Sequence, residues 1–251
     1  MKKLESGIVE DYVNTHITGF HEKRLQILAN LTLNRLIDKN PYLFRAKNIL
    51  IASELISNTL AAFLSSSEEK IFGDFLEDLA VFIAGLTVGG HKSSAQGIDL
   101  EFLRGSKHYL VSIKSGENWG NSSQHKKMVD DFQVSAKRIR QSSQHLEPQP
   151  TLGICYGRRR TSFHKLGYLC VVGQNFWSLI SDNKELYTEI IEPLGFRAKE
   201  HNDNFEKERA KITNLLTIQF IERFCNSQGE INWVELVKSN SGNYDLDKYQ
   251  L

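Results

Sequence analysis

Two residues with oppositely charged side chains, Asp99 and Lys114, lie in neighbouring segments whose pattern is typical of β-strands. In residues 98–103, apolar side chains alternate with Asp99 and Glu101, so the two carboxylates share one strand face. The second segment, HYLVSIK, ends at Lys114 and follows the short turn RGSK. This order predicts a hairpin. A hairpin can bring the Asp99 carboxylate beside the Lys114 ammonium group.

A carboxylate next to an ammonium group is suited to phosphodiester hydrolysis. Asp99 can ligate Mg²⁺, which prefers oxygen ligands and keeps several bound waters. Such a metal lowers the pKa of a bound water and offsets the charge of the phosphorane-like transition state. Lys114 can orient or help to deprotonate the attacking water, and it can stabilise the developing anion. We therefore expect Asp99 and Lys114 to be catalytic, with Mg²⁺ as the cofactor and Mn²⁺ as a substitute.

The composition is that of an ordinary soluble protein. The chain has 251 residues, of which 40% are hydrophobic and 24% charged. No apolar run approaches the roughly 20 residues that span a bilayer, and the N-terminal MKKLESGIVEDY lacks the apolar region of a secretory signal. The three cysteines, Cys155, Cys170 and Cys225, are widely spaced and include no CxxC pair. They are predicted to be reduced thiols of a cytoplasmic protein with no membrane association.

Positive charge is concentrated in the middle of the chain. Residues 104–165 contain 12 Lys and Arg against 4 Asp and Glu, a net charge of +8, whereas the remaining residues carry −7. A basic segment in a chain of net charge +1 predicts a localised surface for a polyanion. The alternative is that these basic side chains only form solvent-exposed helix faces and bind no partner.

The element pattern predicts an α/β core with helical additions. Apolar residues at helical spacing predict one helix ending near Asn40-Pro41, a second ending in the serines at 65–67, and a third that these serines cap and that stops near Gly89. A two-residue period follows in the hairpin, in TLGICYG and in LGYLCVVG, with HLEPQP as a loop. NDNFEKERAKITNLLTIQFIERFC predicts a long amphipathic helix, whose apolar face is either core or a dimer surface.

The residues GID, ending at Asp99, and SIK, ending at Lys114, resemble the motif of the PD-(D/E)XK nuclease superfamily, and in particular type II restriction endonucleases. The longer string SIKSGENWGNSSQ (112–124) resembles a subgroup that cuts short, interrupted palindromic sites. The resemblance covers about residues 68–172. It implies a restriction-endonuclease-like core, with a mixed central sheet flanked by helices, at 68–173. Helical extensions are then expected at 1–67 and 174–251, with all three parts forming one compact unit.

Two positions depart from this motif. Ile98 stands where the family has proline, and Ser112 replaces the first acid of the (D/E)XK triplet. A hydroxyl is a poorer Mg²⁺ ligand than a carboxylate, so the resemblance implies that another acid completes the site around Asp99, Ser112 and Lys114. The candidates, in order, are Glu77 in the preceding helix, Glu101 on the Asp99 strand, and the pair Asp130 and Asp131.

Several residues beyond the motif are candidates for DNA binding. The string after Lys114 places amide, hydroxyl and ammonium groups at the start of the next predicted helix, where free N–H groups favour phosphate. The basic connection GRRRTSFHK offers arginines, the usual readers of guanine. Its alternative interpretation is a solvated turn. The full set is Asn118, Asn121, Ser122, Ser123, Gln124, Lys126, Lys127, Arg158, Arg159, Arg160, His164 and Lys165.

The resemblance implies a Mg²⁺-dependent type II restriction endonuclease that hydrolyses both strands of double-stranded DNA and leaves 5′-phosphates. A palindromic site suits a homodimer with one active site per strand, and the helical extensions are expected to supply the dimer surface. The enzyme would be paired with a DNA methyltransferase of matching specificity. The alternatives are a repair or junction-resolving nuclease of the same superfamily, a non-catalytic DNA-binding protein with a decayed metal site, and a helical scaffold.

Overall fold

The computed structural model describes residues 6–143 and 145–249, so the first residues of the N-terminal segment discussed above lie outside the described residues. Helices make up most of the described chain, and some are single turns. They are α1 (Ser6–Ala29), α2 (Leu33–Ile37), α3 (Pro41–Ala46), α4 (Ala52–Thr87), α5 (Ser122–Ser142), α6 (Gln174–Ser181), α7 (Leu186–Glu189), α8 (Ile191–Leu194), α9 (Ala198–Phe224) and α10 (Trp233–Ser239), with a 3₁₀ turn at Leu246–Tyr249.

The strands form one mixed sheet of six members in the order β1-β2-β3-β4-β6-β5. The predicted hairpin is confirmed, because β2 and β3 pair antiparallel. β3, β4 and β6 are parallel, so their carboxyl ends lie along one edge, at the level of Lys114, Ile154 and Val172. We call this the carboxyl edge. The strands are β1 (His91–Lys92), β2 (Leu100–Arg104), β3 (Lys107–Gly116), β4 (Glu147–Tyr156), β5 (Ser162–His164) and β6 (Tyr168–Val172).

Helices cover both faces of the sheet, which confirms the predicted restriction-endonuclease-like architecture. Val111 and Ile113 of β3 pack with buried residues of α1, α4 and α6, while Leu110 packs with buried residues of α5 on the opposite face. The alternation of these three neighbours follows from the two-residue period of a strand. It leaves Ser112 and Lys114 on the α5 face, as the sequence predicted.

The chain divides into two compact units. Unit 1 comprises residues 1–20 and 70–196 and contains the sheet, whereas unit 2 comprises 21–69 and 197–251 and is helical. Unit 2 has its own core, in which Leu36, Ile56 and Phe220 are fully buried. The helices of the described chain all lack a stretch of sufficient length and hydropathy to span a bilayer.

The predicted helix boundary at the serine cluster is wrong. α4 runs without interruption from Ala52 to Thr87. The hydroxyls of Ser66 and Ser67 donate to the carbonyl oxygens of Ala62 and Phe63, at 3.1 and 2.9 Å. Serine can bond back to the preceding turn in this way as well as cap a helix, so a serine cluster does not by itself end one.

Two other boundaries also differ from the prediction. The first predicted helix ends at Ala29 and is followed by the short helices α2 and α3, capped by Thr32 and Asn40. HLEPQP is not entirely a loop, because β4 already begins at Glu147 and pairs with β3. β6 joins β4 only from Thr151 onwards. The two prolines before that point therefore lie where β4 is an edge strand, a position that tolerates proline.

Candidate active site

Asp99 is fixed at the start of β2 by its neighbours. Gly97, two residues before it, has φ +74°, and a Cβ there would clash with the Asp131 carboxylate, so the chain can turn at this point only without a side chain. The Asp99 amide donates to the carbonyl of Val111 at 2.8 Å, which continues the ladder with β3. One carboxylate oxygen of Asp99, Oδ2, accepts from the amide of Ile113 at 2.6 Å. The carboxylate is thereby held against the end of β3.

Lys114 faces this carboxylate. Its Nζ lies 3.7 Å from Asp99 Oδ2 and donates to the carbonyl of Ile113 at 2.6 Å. The ammonium group also lies 5.5 Å from the centroid of the Trp119 ring, within the range of a cation–π contact. Ser112 is buried, with its Oγ 3.4 Å from the same Asp99 oxygen. The structure therefore brings together three of the residues predicted to be catalytic.

Glu77 of α4 lies near enough to this group for the charges of Asp99 and Lys114 to act on its carboxyl. Its side chain is only 27% exposed. Burial raises the pKa of the Glu77 carboxyl, the charge of Asp99 raises it further, and Lys92 and Lys114 oppose the increase. Two carboxylates that influence each other in this way repel when both are ionised. A divalent cation between them would relieve that repulsion.

The donor set fits a magnesium ion rather than a closed structural metal site. Within residues 6–143 and 145–249, no three His, Cys, Asp or Glu side chains are clustered to hold a metal. Mg²⁺ is commonly bound by one or two carboxylates, with water and substrate phosphate oxygens as the other ligands. Asp99 and Glu77 offer two carboxylates. The absence of a third acid at Ser112 is therefore compatible with such a site.

The other candidate acids have different partners. The Glu101 carboxylate accepts from the Ser93 hydroxyl and lies 2.8 Å from His108 Nε2. Asp130 and Asp131 form ion pairs of 2.8 Å along α5, with Lys126 and Lys127 respectively. The Asp131 carboxylate also packs against Gly97, and so approaches the segment that carries Asp99.

The polar residues at the start of α5 cap its N-terminus. Asn121 and Gln124 form a capping box, in which the side chain of each residue accepts from the backbone amide of the other. The Ser123 hydroxyl donates to Asn121 Oδ1 at 3.0 Å. Asn118 and Ser122 are exposed. As predicted, these residues lie where a helix begins, directly after β3.

The arginine-rich connection leaves the sheet at the carboxyl edge. Residues 156–167 are all exposed. Glu117, which follows β3, accepts from the Arg159 amide at 2.9 Å and so ties the turn containing Arg158, Arg159 and Arg160 to the segment after Lys114.

His164 and Lys165 lie further from that edge. His164 pairs with Tyr168 at the beginning of β6 and stacks on its ring, with centroids 4.6 Å apart. Val172 lies four positions after Tyr168 in β6, a distance of roughly 13 Å at 3.3 Å per residue. The structure thus brings three of the five basic residues of this connection to the carboxyl edge.

Two residues at the site were not anticipated from sequence. Lys92 of β1 lies 3.4 Å from Glu77. The Tyr156 ring lies over Gly116, where a Cβ would come within 2.8 Å of the phenol oxygen. Tyr156 stands at the end of the apolar run TLGICYG, a position that could have marked it as a residue of the carboxyl edge. No sequence pattern links Lys92 to Glu77.

Comparison with known families gives a match over most of the chain. A family model described as "Type II restriction endonuclease EcoO109I" matches residues 7–202 of the chain. No curated protein gives a significant match. The matched range includes the whole sheet and every candidate catalytic residue.

Proposed function

The chain belongs to the family of the type II restriction endonuclease EcoO109I, and we propose that it uses Mg²⁺ to cut both strands of a short palindromic site, continuous or interrupted, in double-stranded DNA. The products would carry 5′-phosphates. The observation that supports this proposal best is the position of Lys114 Nζ, 3.7 Å from the Asp99 carboxylate at the carboxyl edge of the sheet.

In this mechanism Asp99 and Glu77 would hold the metal. When bound, the metal would lower the pKa of a water and supply positive charge next to the scissile phosphate. Asp99 keeps its orientation because the Ile113 amide donates to it. Lys114 carries an ammonium group on the same side, where it can position the attacking water and stabilise charge that develops on the phosphate oxygens. Ser112 contributes a hydroxyl that donates to Asp99 and fixes the carboxylate.

Digestion of unmethylated phage DNA by the purified protein tests the proposed function. With Mg²⁺, discrete fragments should appear, and sequencing of their ends should reveal one short palindrome with 5′-phosphates at the cuts. EDTA should stop the reaction. Cleavage restricted to branched or damaged DNA would instead support a repair or junction-resolving nuclease. Binding to DNA without any cleavage would support the non-catalytic alternative.

The exposed arginines supply the proposed DNA contact at the carboxyl edge. Replacing Arg158 and Arg160 with alanine in a Lys114→Ala background should weaken DNA binding and reduce the salt dependence. The slope of log affinity against log salt should fall by about 0.9 for each phosphate contact that is lost. Arg209→Ala is the matched control, because Arg209 pairs with Glu206 in unit 2. An unchanged slope in the double variant would remove these arginines from the interface.

We further propose a homodimer, because a two-fold assembly can present one active site to each strand of a palindrome. α9 carries an exposed apolar stripe suited to this contact. Leu215, Ile218 and Ile221, three residues apart, are 55%, 54% and 46% exposed. Leu216 and Phe220 of the same helix instead fill the core of unit 2.

Sedimentation tests this assembly. Leu215→Glu with Ile218→Glu should convert a dimer to a monomer and prevent double-strand cleavage, because charge on the stripe cannot be buried without a partner. Arg209→Glu is the control, because Arg209 lies nine residues, or about two and a half turns, before Ile218 and therefore on the opposite side of α9. A monomeric wild-type protein, or a variant that remains dimeric, would contradict this use of α9.

The host would need protection from such an enzyme. We propose that a DNA methyltransferase of matching specificity modifies the same site in the cytoplasm, where the nuclease would meet incoming DNA. Methylation of the recognised sequence before digestion should then block cleavage.

A further inference from the structure

Lys92 occupies an unusual position next to the proposed metal ligand Glu77. It lies on the edge strand β1 and pairs with Leu100, the residue after Asp99. Its Nζ is 3.4 Å from Glu77 Oε1 and 3.5 Å from Asp78 Oδ1. The Lys92 side chain is 62% exposed, whereas that of Glu77 is 27% exposed. An exposed ammonium group thus contacts a largely buried carboxylate from the solvent side.

The contact between Lys92 and Glu77 also affects the charge balance of the proposed metal site. Asp99 and Glu77 are balanced by Lys114 and Lys92, so the four groups carry little net charge. Lys114 is held at Asp99 by its hydrogen bond to the Ile113 carbonyl, whereas no such backbone contact restrains Lys92 among the hydrogen bonds of the described residues. A divalent cation that binds Glu77 adds two positive charges beside Lys92. Like charges at this distance repel.

We propose that Lys92 is the resident counter-ion of Glu77 and that a divalent cation must displace it to bind. The inference rests on the proposed function, because it takes Glu77 as a metal ligand. The Lys92 ammonium competes with the metal for one carboxylate, and the exposed lysine stem lets the displaced group move into solvent. Lys92 thereby lowers the affinity of the DNA-free protein for metal, and it acts as a positioning residue that does not contact the reacting atoms.

The affinity of the DNA-free protein for Mn²⁺ tests this role. The free-ion electron paramagnetic resonance signal of Mn²⁺ reports binding without any cleavage reaction. Lys92→Met should bind Mn²⁺ about 2- to 5-fold more tightly than the wild type, since an exposed ion pair contributes up to about 1 kcal/mol and 1.4 kcal/mol corresponds to tenfold. Lys92→Gln should behave in the same way. Lys92→Arg keeps the charge and should restore the wild-type affinity.

Lys211→Met is the matched control. It removes the same charge from a lysine–glutamate pair in unit 2, where Lys211 Nζ lies 2.6 Å from Glu208, and it should not alter Mn²⁺ binding. An affinity of Lys92→Met equal to or below that of the wild type would overturn the inference.

Two further variants distinguish an error in the role of Lys92 from an error in the proposed metal site. Asp99→Asn and Glu77→Gln should bind Mn²⁺ much more weakly than the wild type. If they bind Mn²⁺ as the wild type does, the metal site itself is misplaced. If their binding is weakened while Lys92→Met matches the wild type, only the role of Lys92 is wrong.

Discussion

Replacing Lys114 with alanine should reduce DNA cleavage by about 10³-fold or more and leave DNA binding largely intact. Lys114 carries the ammonium group nearest to Asp99, and a positioned proton donor or charge in the transition state typically contributes effects of about this size. Asp99→Ala should cause a similar loss, because it removes both a proposed metal ligand and the partner of Lys114. Single-turnover cleavage of a plasmid that carries the recognised site measures the chemical step for each variant.

Lys107→Ala is the matched control for Lys114. Lys107 lies at the opposite end of β3 and contacts Gln149, 3.5 Å away. The control should cleave DNA at a rate within a few-fold of the wild type. Unchanged cleavage by Lys114→Ala, or an equal loss in Lys107→Ala, would refute the catalytic assignment.

The second large effect is expected from Glu77→Gln. A carboxamide is a weaker Mg²⁺ ligand than a carboxylate, so cleavage at low millimolar Mg²⁺ should fall by about 10²-fold or more. Part of the lost rate should return as Mg²⁺ is increased, since the substitution weakens metal binding and leaves Lys114 in place. The rate measured as a function of Mg²⁺ concentration separates this effect from a general loss of activity.

Three variants test the choice of Glu77 over its rivals. Glu101→Gln and Asp131→Asn should cause smaller losses, because these carboxylates are bound by His108 and Lys127 respectively. Ser112→Ala should cause a smaller loss than Glu77→Gln, since it removes a 3.4 Å hydrogen bond to Asp99 and no metal ligand. If Glu101→Gln or Asp131→Asn shows the larger loss and the stronger Mg²⁺ dependence, that residue completes the site.

The convergence of Asp99 and Lys114 was predictable because it depends on local rules. Strand alternation fixed the faces of Ser112, Ile113 and Lys114, and a short turn fixed the hairpin. The mixed sheet with helices on both faces also agrees with the sequence-based expectation. The hairpin requires only residue order and period, whereas the mixed sheet with flanking helices was implied by the family resemblance.

Contacts between distant segments were harder to predict. Glu77 could be ranked first among the missing acids only by resemblance, because its approach to Asp99 depends on how α4 packs on the sheet. Lys92 was missed because β1 has two residues and no detectable period. The uninterrupted course of α4 was missed because Ser66 and Ser67 can either cap a helix or bond back to its preceding turn.

An anomalous difference map from crystals soaked in Mn²⁺ tests the central claim most directly. The account predicts one peak at the carboxyl edge, within about 2.3 Å of carboxylate oxygens of both Asp99 and Glu77, with Lys114 on the same side of the sheet. A metal bound elsewhere in crystals of a protein that cuts DNA with Mn²⁺ would contradict the account.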